Sequence, residues 1–384
     1  MIDTKTAIEK ITNGEFDNLF TDIYIDSSMI DYQKKRYVHA IEQYETIFCP
    51  DKVAIFSAPG RSEVCGNHTD HQHGMVLATS INLDTIAVSA KNNNDVVRFV
   101  SDGYDMITLD INDLEVNNDE AGTTVSLIRG VLRGLKDHGY KIGGFNAYAT
   151  SDVLVGAGLS SSAAFEVVVG TIISGLYNDM KINSVEIAQI SQYAENVFFK
   201  KPCGLMDQMA CSVGGMVNID FKDPTKPIVK KVPTEFEKYD YSLCIVDTKG
   251  DHVDLTDDYA MIPSEMKKVA NFLGEDYLRD CDSNEFYIRL DEIREAVGDR
   301  PVLRAIHFFN EEYNVKNAVS SLENGKFVEF LDAIRKSGNS SFKYLQNVYT
   351  TRDIQHQNIS VALALSESLL RNYGVGRVHG GGFA

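Results

Sequence analysis

Residues 151–164 read SDVLVGAGLSSSAA, and this stretch predicts a phosphate-binding loop at the start of a helix. Gly156, Ala157 and Gly158 have little or no side chain, so the backbone there can approach a ligand closely. The loop continues with Leu159, Ser160, Ser161, Ser162 and Ala163. Since an apolar, helix-forming run begins at Ala163, the serines lie at a helix N-terminus, whose unpaired N–H groups and partial positive charge suit a phosphate.

An ordinary glycine turn with serine N-caps has the same appearance, so the stretch alone does not prove a phosphate site. It is not a Walker A loop, because no Gly-Lys-Ser/Thr follows at the required spacing. The pattern favours a nucleotide kinase of another build.

Three further blocks accompany this loop. Residues 58–70 (APGRSEVCGNHTD) precede it, residues 201–208 (KPCGLMDQ) follow it, and residues 380–383 (GGGF) come last. This order resembles the galactokinase branch of the GHMP sugar and metabolite kinases. The first block resembles the galactokinase sugar signature, residues 151–164 the family's phosphate loop, and the last block the start of its third motif.

The resemblance implies an α+β protein with the two-domain GHMP kinase fold and an active site in the cleft between the domains. We expect a mixed-sheet N-terminal domain over residues 1–210 and a C-terminal domain of antiparallel sheet plus helices over 211–384. The third motif is interrupted after Phe383, which predicts a truncated C-terminal domain that lacks one element of its sheet.

The spacing of apolar residues predicts individual elements. We expect helices in the first fifty residues, where Tyr37, Ile41 and Tyr44 share one face, and long helices in the region that ends near Arg371. Further helices are predicted over residues 125–137, 159–176 and 185–198. Strands are predicted over residues 53–57, 75–89, 96–101, 144–150, 216–221 and 241–247.

Composition and charge limit the function classes. The chain has 384 residues, of which 43% are apolar and 24% charged, as in ordinary globular proteins. A net charge of −18 argues against nucleic acid or an anionic membrane as a partner. Six scattered cysteines without C-x-x-C spacing, and the lack of a signal peptide pattern, favour a cytoplasmic protein. We expect a monomer that binds a sugar and ATP.

Asp207 is the residue that we expect to carry the chemistry, and Arg61 is the second predicted catalytic residue. A kinase that phosphorylates a hydroxyl needs a group that orients the hydroxyl or accepts its proton, and Gly204 leaves room for a ligand beside this turn. An aspartate in a turn more commonly caps a helix, and the family resemblance decides for catalysis. By resemblance, Arg61 lies beside this aspartate and the transferring phosphoryl group.

A cofactor set of ATP and Mg²⁺ follows from the resemblance. Residues 156–163 match the family's ATP-binding loop, and Ser162 and Glu195 match its Mg²⁺ ligands. A hydroxyl and a carboxylate suit a hard cation that prefers oxygen. From the sequence alone, Glu195 on a helix is more commonly a solvated charge.

The sugar contacts are also implied by resemblance. His68 and Asp70 match family residues that bind sugar hydroxyls, and Tyr259 matches a family tyrosine with the spacing off by one. Asn67 stands where galactokinases usually carry a glutamate that binds the C6 hydroxyl, which predicts tolerance of deoxy sugars or a uronic acid. Lys249 and His252 stand where many relatives have an arginine near the phosphates.

The leading function is therefore an ATP-dependent sugar 1-kinase that converts galactose to galactose 1-phosphate. A kinase for another galactose-like sugar or a uronic acid, and a non-catalytic galactose and ATP sensor, remain open. The sequence HTDHQH (residues 68–73) also resembles a metal-hydrolase cluster, since strand-like spacing would put His71 and His73 on one face. Gly66 stands where the full hydrolase pattern requires another histidine.

Overall fold

A computed structural model of the chain describes residues 1–49, 52–154, 156, 158–234, 236–250 and 255–383. The chain separates into two compact units. The first comprises Met1–Arg61, Ser80–Val155 and Ser160–Gly214, and the second comprises Ser62–Thr79, Gly156–Leu159 and Gly215–Ala384. The division at residue 210 that the sequence suggests stays a prediction.

The first unit contains helices on both sides of a sheet. Two of its strands, β1 (Ala54–Cys65) and β2 (Met75–Lys91), have residues in both units. In chain order the elements are α1 (Thr4–Thr12), α2 (Asp17–Tyr24), α3 (Ile30–Phe48), β1 (Ala54–Cys65), β2 (Met75–Lys91), β3 (Val96–Ser101), β4 (Ile107–Asp110), α4 (Thr124–Asp137), β5 (Phe145–Ser151), α5 (Ser161–Tyr177), α6 (Ser184–Tyr193) and α7 (Met206–Val213).

The sheet of this unit is mixed, as predicted. Strand β4 pairs antiparallel with β3, β3 pairs parallel with β5, and β5 pairs antiparallel with β2. Successive residues of β2 point to opposite faces: Val88 packs in a core with Ile41 and Tyr44 of α3, and Ala87 packs in a core with Ile172 of α5. Because both faces are covered, this part of β2 is buried along its length.

A buried ion pair joins α3 to the sheet just before the predicted phosphate loop. Arg36 on α3 donates to Asp84 of β2 at 2.6 Å, and both side chains are almost fully enclosed. Arg36 also lies 3.0 Å from the carboxylate of Asp152, the residue that follows β5. Tyr32 donates to the same carboxylate at 2.9 Å. The start of the loop is thus held by one helix.

The second unit combines antiparallel strands with helices, as predicted. Residues 75–79 of β2 pair antiparallel with β6, and β6 pairs antiparallel with β7. The elements that belong to this unit alone are β6 (Met216–Asp220), β7 (Ile228–Lys231), α8 (Thr256–Phe272), α9 (Ser283–Ile288), α10 (Leu290–Val297), α11 (Asp299–Glu323), α12 (Phe327–Ser340) and α13 (Asn358–Leu370).

Some sequence expectations are wrong in detail. Residues 241–247 form no strand, because no strand within the described residues pairs with them, and Leu243 and Val246 stay exposed. Strands β4 and β7 were not expected, since each has only four residues. The helix expected over 185–198 ends as an α-helix at Tyr193 and continues as a π-helical turn.

Within the described residues, none of the helices combines the length and apolar character that crossing a bilayer requires.

Candidate active site

A two-point ion pair between Arg61 and Asp207 forms the centre of the candidate site in the first unit. Arg61, on β1, donates from Nε to Asp207 Oδ1 and from Nη2 to Asp207 Oδ2, both at 2.8 Å. Asp207 lies in the first turn of α7, where the helix dipole also favours a negative charge. The Arg61 side chain is 5% exposed and that of Asp207 31%, so the carboxylate is accessible while its partner is enclosed.

The pKa of Asp207 lies below its ordinary value. Burial alone raises this pKa, but the charge and hydrogen bonds of Arg61, followed by the Ser160 hydroxyl, lower it by more. The carboxylate is therefore ionised at neutral pH and is a weak proton acceptor. Such a group suits phosphoryl transfer, in which catalysis depends mainly on positioning and charge stabilisation.

The predicted phosphate loop has several residues with left-handed backbone. Gly156 has φ +79°, Gly158 +71° and Ser160 +59°, and α5 begins at Ser161. Glycine adopts this conformation readily. Serine adopts it rarely, so the surrounding structure must hold Ser160 in it. The Ser160 hydroxyl donates to Asp207 Oδ2. Ser160 therefore connects the end of the loop to the Arg61–Asp207 pair.

The other predicted ligand-binding residues of the loop differ in their burial. Leu159 and Ala163 are buried, Ser161 is half-buried, and Ala157 lies outside the described residues. Gly204, also half-buried, precedes α7. Their ATP and substrate contacts stay predictions.

Glu195 lies beside the start of α5, as expected for a partner of Ser162. It belongs to the π-helical turn Ala194–Phe199, a local widening that is frequent at functional sites. Ser162 Oγ donates to Glu195 Oε1 at 3.0 Å, and the glutamate side chain is 3% exposed. The structure thus brings the two predicted metal ligands together.

Three neighbours of Glu195 were not predicted. Gln208 Nε2 donates to Glu195 Oε2 at 2.6 Å, and the Cys203 thiol lies 3.3 Å from the same oxygen. Lys201 Nζ lies 3.1 Å from Glu195 Oε1. All three residues belong to the block 201–208, which the sequence had singled out only for Gly204 and Asp207.

Glu166 is a buried acid that no motif in the sequence indicated. It lies on α5 with its side chain fully enclosed and accepts a hydrogen bond from Gln208 Nε2 at 3.2 Å. Burial, and then the charge of Glu195, raise the pKa of Glu166 well above its ordinary value, which favours the neutral acid. Glu166 Oε1 and Gln208 Oε1 are both buried without a hydrogen-bond partner among the described residues.

The Ser162 and Glu195 oxygens fit Mg²⁺. A hydroxyl and a carboxylate 3.0 Å apart at a helix N-terminus are the oxygen ligands this ion prefers, and Mg²⁺ commonly takes only one or two protein ligands with phosphates and water completing the shell. Across the described chain, no group of three or more His, Cys, Asp or Glu side chains is arranged to hold a metal ion. The metal role of the pair stays a proposal.

The other predicted sugar residues lie in the second unit, where Asn67 is enclosed in a polar network. Asn67 Nδ2 donates to Glu63 Oε2 at 2.7 Å and to Gly380 O at 2.8 Å, and its Oδ1 accepts from Asn347 at 2.7 Å. Arg377 donates to Glu63 at 2.6 Å. Both amide protons of Asn67 are used. The predicted contact with a sugar C6 group would require one of these bonds to break, and it stays a prediction.

His68 is buried next to the glycine-rich third motif. Its Nε2 lies 3.1 Å from Gly381 O, and its backbone is left-handed with φ 55°. Burial, and then the nearby His71, lower the pKa of His68 to about 3, so the ring is neutral and donates from Nε2. The Asp70 carboxylate accepts a hydrogen bond from the backbone N–H of His71 at 2.9 Å.

Tyr259 also contacts the third motif. Its hydroxyl donates to Gly382 O at 2.8 Å, and its ring packs edge-on against Phe383 with centroids 5.5 Å apart. Burial raises the pKa of Tyr259 to about 12. Lys249 is exposed and pairs with Asp247 at 2.5 Å, whereas His252 lies outside the described residues.

The geometry does not support the metal-hydrolase alternative. Residues Asp70–Gln72 form a 3₁₀ turn and not a strand, so the spacing that would align His71 with His73 does not apply. His73 instead stacks on Tyr277, with ring centroids 3.6 Å apart.

Comparison with known proteins identifies the class first. The family model "GHMP kinases N terminal domain" matches residues 126–215, and the "Galactokinase galactose-binding signature" matches residues 42–91. The crystal structure of Lactococcus lactis galactokinase complexed with galactose has the same fold, with a TM-score of 0.75 at 23% identity over 89% of this chain and 87% of that one. The fold and site therefore define a GHMP kinase, and the predicted fold class is confirmed.

Curated relatives identify the particular family. Galactokinase of Limosilactobacillus reuteri is 30% identical over 316 residues, which cover 79% of each chain. Galactokinase of Streptomyces coelicolor is 29% identical over 309 residues, covering 79% of this chain and 77% of that relative. The chain belongs to the galactokinase family, as the order of its motifs predicted.

Replacing Glu166 with glutamine tests whether this acid is neutral. A carboxyl whose pKa is raised by folding keeps its proton in the folded state, while the unfolded chain loses it above about pH 4.5. The contribution of Glu166 to the stability of the wild type therefore falls as the pH rises above about 4.5. The Glu166→Gln variant lacks this pH-dependent contribution. The difference in Tm, variant minus wild type, should grow as the pH rises above about 4.5. Thermal unfolding at several pH values measures it.

The matched control is Glu9→Gln, a change of an exposed glutamate on α1. This variant should follow the wild-type Tm at every pH. A Tm difference for Glu166→Gln that stays constant with pH would show that the acid is ionised in the folded protein.

Replacing Asn67 with glutamate tests the polar network of the second unit. A second carboxylate facing Glu63 would be buried, and the guanidinium of Arg377 already pairs with Glu63. We expect the free energy of unfolding of Asn67→Glu to fall by about 3 kcal/mol, since an unbalanced buried charge is strongly destabilising. Denaturant unfolding measures the loss.

The double variant Glu63→Asn/Asn67→Glu restores one amide and one carboxylate and should recover at least half of the lost stability. If Asn67→Glu were as stable as the wild type, the network would not restrict this position to a neutral residue.

Proposed function

We propose that the protein transfers the γ-phosphoryl group of ATP to the anomeric hydroxyl of galactose, giving galactose 1-phosphate and ADP. The observation that carries this proposal is the Arg61–Asp207 pair, connected through Ser160 to the N-terminus of α5. It supports the galactose kinase that the family membership implies. The galactose-binding signature over residues 42–91 supports the choice of sugar.

The roles of the residues follow from their chemistry. Asp207 accepts a hydrogen bond from the sugar hydroxyl and orients its oxygen toward the phosphorus. As the new O–P bond forms and the bond from phosphorus to ADP breaks, the hydroxyl becomes acidic enough to give its proton to this weak acceptor. Arg61 holds this carboxylate in one orientation and offsets negative charge on the transferring group. The N–H groups at the start of α5 bind the phosphates.

Ser162 and Glu195 would hold Mg²⁺. When bound, this ion neutralises charge on the phosphate oxygens. Gln208 holds the Glu195 carboxylate from the side opposite Ser162, through its 2.6 Å hydrogen bond to Oε2. ATP as the phosphoryl donor, a sugar as the acceptor and a monomeric state complete the proposal.

The experiment is an assay of sugar 1-phosphate formation with ATP, Mg²⁺ and a panel of free sugars that includes galactose, 6-deoxygalactose and galacturonate. Galactose should give the highest kcat/KM. Preference for galacturonate would favour the uronic acid kinase instead. Binding of galactose and ATP without product would favour a sensor.

Replacing Asp207 with asparagine tests the catalytic assignment. The amide keeps the size of the side chain but neither attracts the proton nor balances Arg61, so kcat should fall by about 10² to 10⁴. The Kd for ATP should change little. Steady-state kinetics and calorimetric ATP titration measure the two effects, and Tm verifies folding.

The pH dependence provides a second check on Asp207. Because its pKa lies below the ordinary value of 3.8, its ionisation and the ion pair are lost only as the pH falls below that value. The kcat/KM of the wild type should therefore show no acid limb from this group above about pH 4. A turnover of Asp207→Asn near that of the wild type would contradict the assignment.

A further inference from the structure

The contact between Lys201 and Glu195 has no role in the function proposed above. The Glu195 carboxylate is 3% exposed, yet it is balanced by an ammonium group whose own side chain is 61% exposed. A buried carboxylate without a partner is strongly unfavourable, so Lys201 supplies a necessary charge. It does so at Oε1, the oxygen that also accepts from Ser162.

The two cations of the site differ in how firmly they are held. Arg61 makes two parallel hydrogen bonds to Asp207 and is 5% exposed. Lys201 has a flexible stem, and among the described residues its ammonium donates to one group, Glu195 Oε1. It lies directly after Lys200, the left-handed residue that ends the π-helical turn. The Lys201 ammonium can therefore move while Arg61 cannot.

We propose that Lys201 is a movable cation that occupies Glu195 Oε1 when no divalent ion is bound and contacts the nucleotide phosphates when the ion takes its place. The proposal rests on the function proposed above, because it requires MgATP as the ligand. It adds a phosphate-binding side chain to the N–H groups at the start of α5.

The exchange follows from the chemistry of Oε1. A divalent ion bound between Ser162 and Glu195 would use the oxygen that Lys201 now contacts, and two cations would repel each other there. The displaced ammonium is then attracted to the phosphates bound at the start of α5, which arrive with the ion. Partial burial works against the charge of Lys201, but Glu195 and then Asp207 keep its pKa above the ordinary value, so the ammonium is charged while it contacts Glu195.

The test uses the intact protein and three variants. Lys201→Met removes the charge and keeps most of the stem, Lys201→Arg keeps the charge, and Lys200→Met removes a neighbouring exposed charge that has no hydrogen bond to a described residue. The first measurement is the Kd for MgATP without sugar, by calorimetry. The second is the Kd for Mn²⁺ without nucleotide, by electron paramagnetic resonance.

Lys201→Met should weaken MgATP binding by about 10- to 100-fold, the range for one hydrogen bond between charged groups. Lys201→Arg should stay within about threefold of the wild type, because its charge also reaches a phosphate. Lys201→Met should bind Mn²⁺ more tightly than the wild type, since the competing ammonium is gone. Lys200→Met should match the wild type in both measurements.

An unchanged MgATP Kd in Lys201→Met, or an unchanged Mn²⁺ Kd, would overturn the proposal and leave a simple surface ion pair. Equal losses in Lys200→Met and Lys201→Met would also overturn it, because they would reflect only the net charge. A wild-type protein that binds Mn²⁺ but not MgATP would refute the proposed function itself. The Mn²⁺ comparison would still decide whether Lys201 competes for Glu195.

Discussion

Three carboxyl groups lie in a connected, largely enclosed part of the first unit, and the arrangement of the site depends on how each is balanced. Asp207 is balanced by the Arg61 guanidinium, and Glu195 by the Lys201 ammonium. Glu166 forms no ion pair with a described residue and is favoured as the neutral acid. Gln208 connects the last two by donating to both. Leaving any of the three ionised and unpaired would be strongly unfavourable in this environment.

The three ways of balancing a buried carboxyl group suit three different roles in the site. A guanidinium that binds both oxygens of Asp207 fixes the plane of the carboxylate, which is needed to orient one hydroxyl of a substrate. An ammonium on a flexible stem neutralises Glu195 without fixing the surrounding geometry, so another cation can replace it. A proton on Glu166 introduces no further charge behind Glu195. A substrate must reach Asp207 and a metal ion must reach Glu195, whereas no ligand needs to reach Glu166. The fixed cation, the movable cation and the proton follow this order.

The sequence could predict the parts of this arrangement that depend on short motifs. The order of four blocks predicted the family, the mixed sheet and the proximity of Arg61 to Asp207, which are 146 residues apart. Glu166, Lys201 and Gln208 could not be selected, because a glutamate on a helix or a lysine in a loop is usually solvated. Their importance arises only when α5, the π-helical turn and α7 meet.

The strand predicted over residues 241–247 is wrong for a similar reason, since alternating apolar residues form a strand only where a partner strand exists.

The need to balance buried charges also explains Asn67 in the second unit. Glu63 is 1% exposed in its side chain and is balanced by Arg377, which is itself enclosed. Glu311, also buried, accepts from the backbone of Gly66 at 2.8 Å and from Ser337 at 2.6 Å, and its pKa is lowered by His307 and Arg377 against the effect of burial. One arginine thus already serves two carboxylates. A glutamate at position 67 would add a third, whereas the neutral asparagine donates to Glu63 and Gly380 and adds no charge. The departure from the usual family glutamate is therefore a requirement of Glu63, and a change of substrate is not needed to account for it.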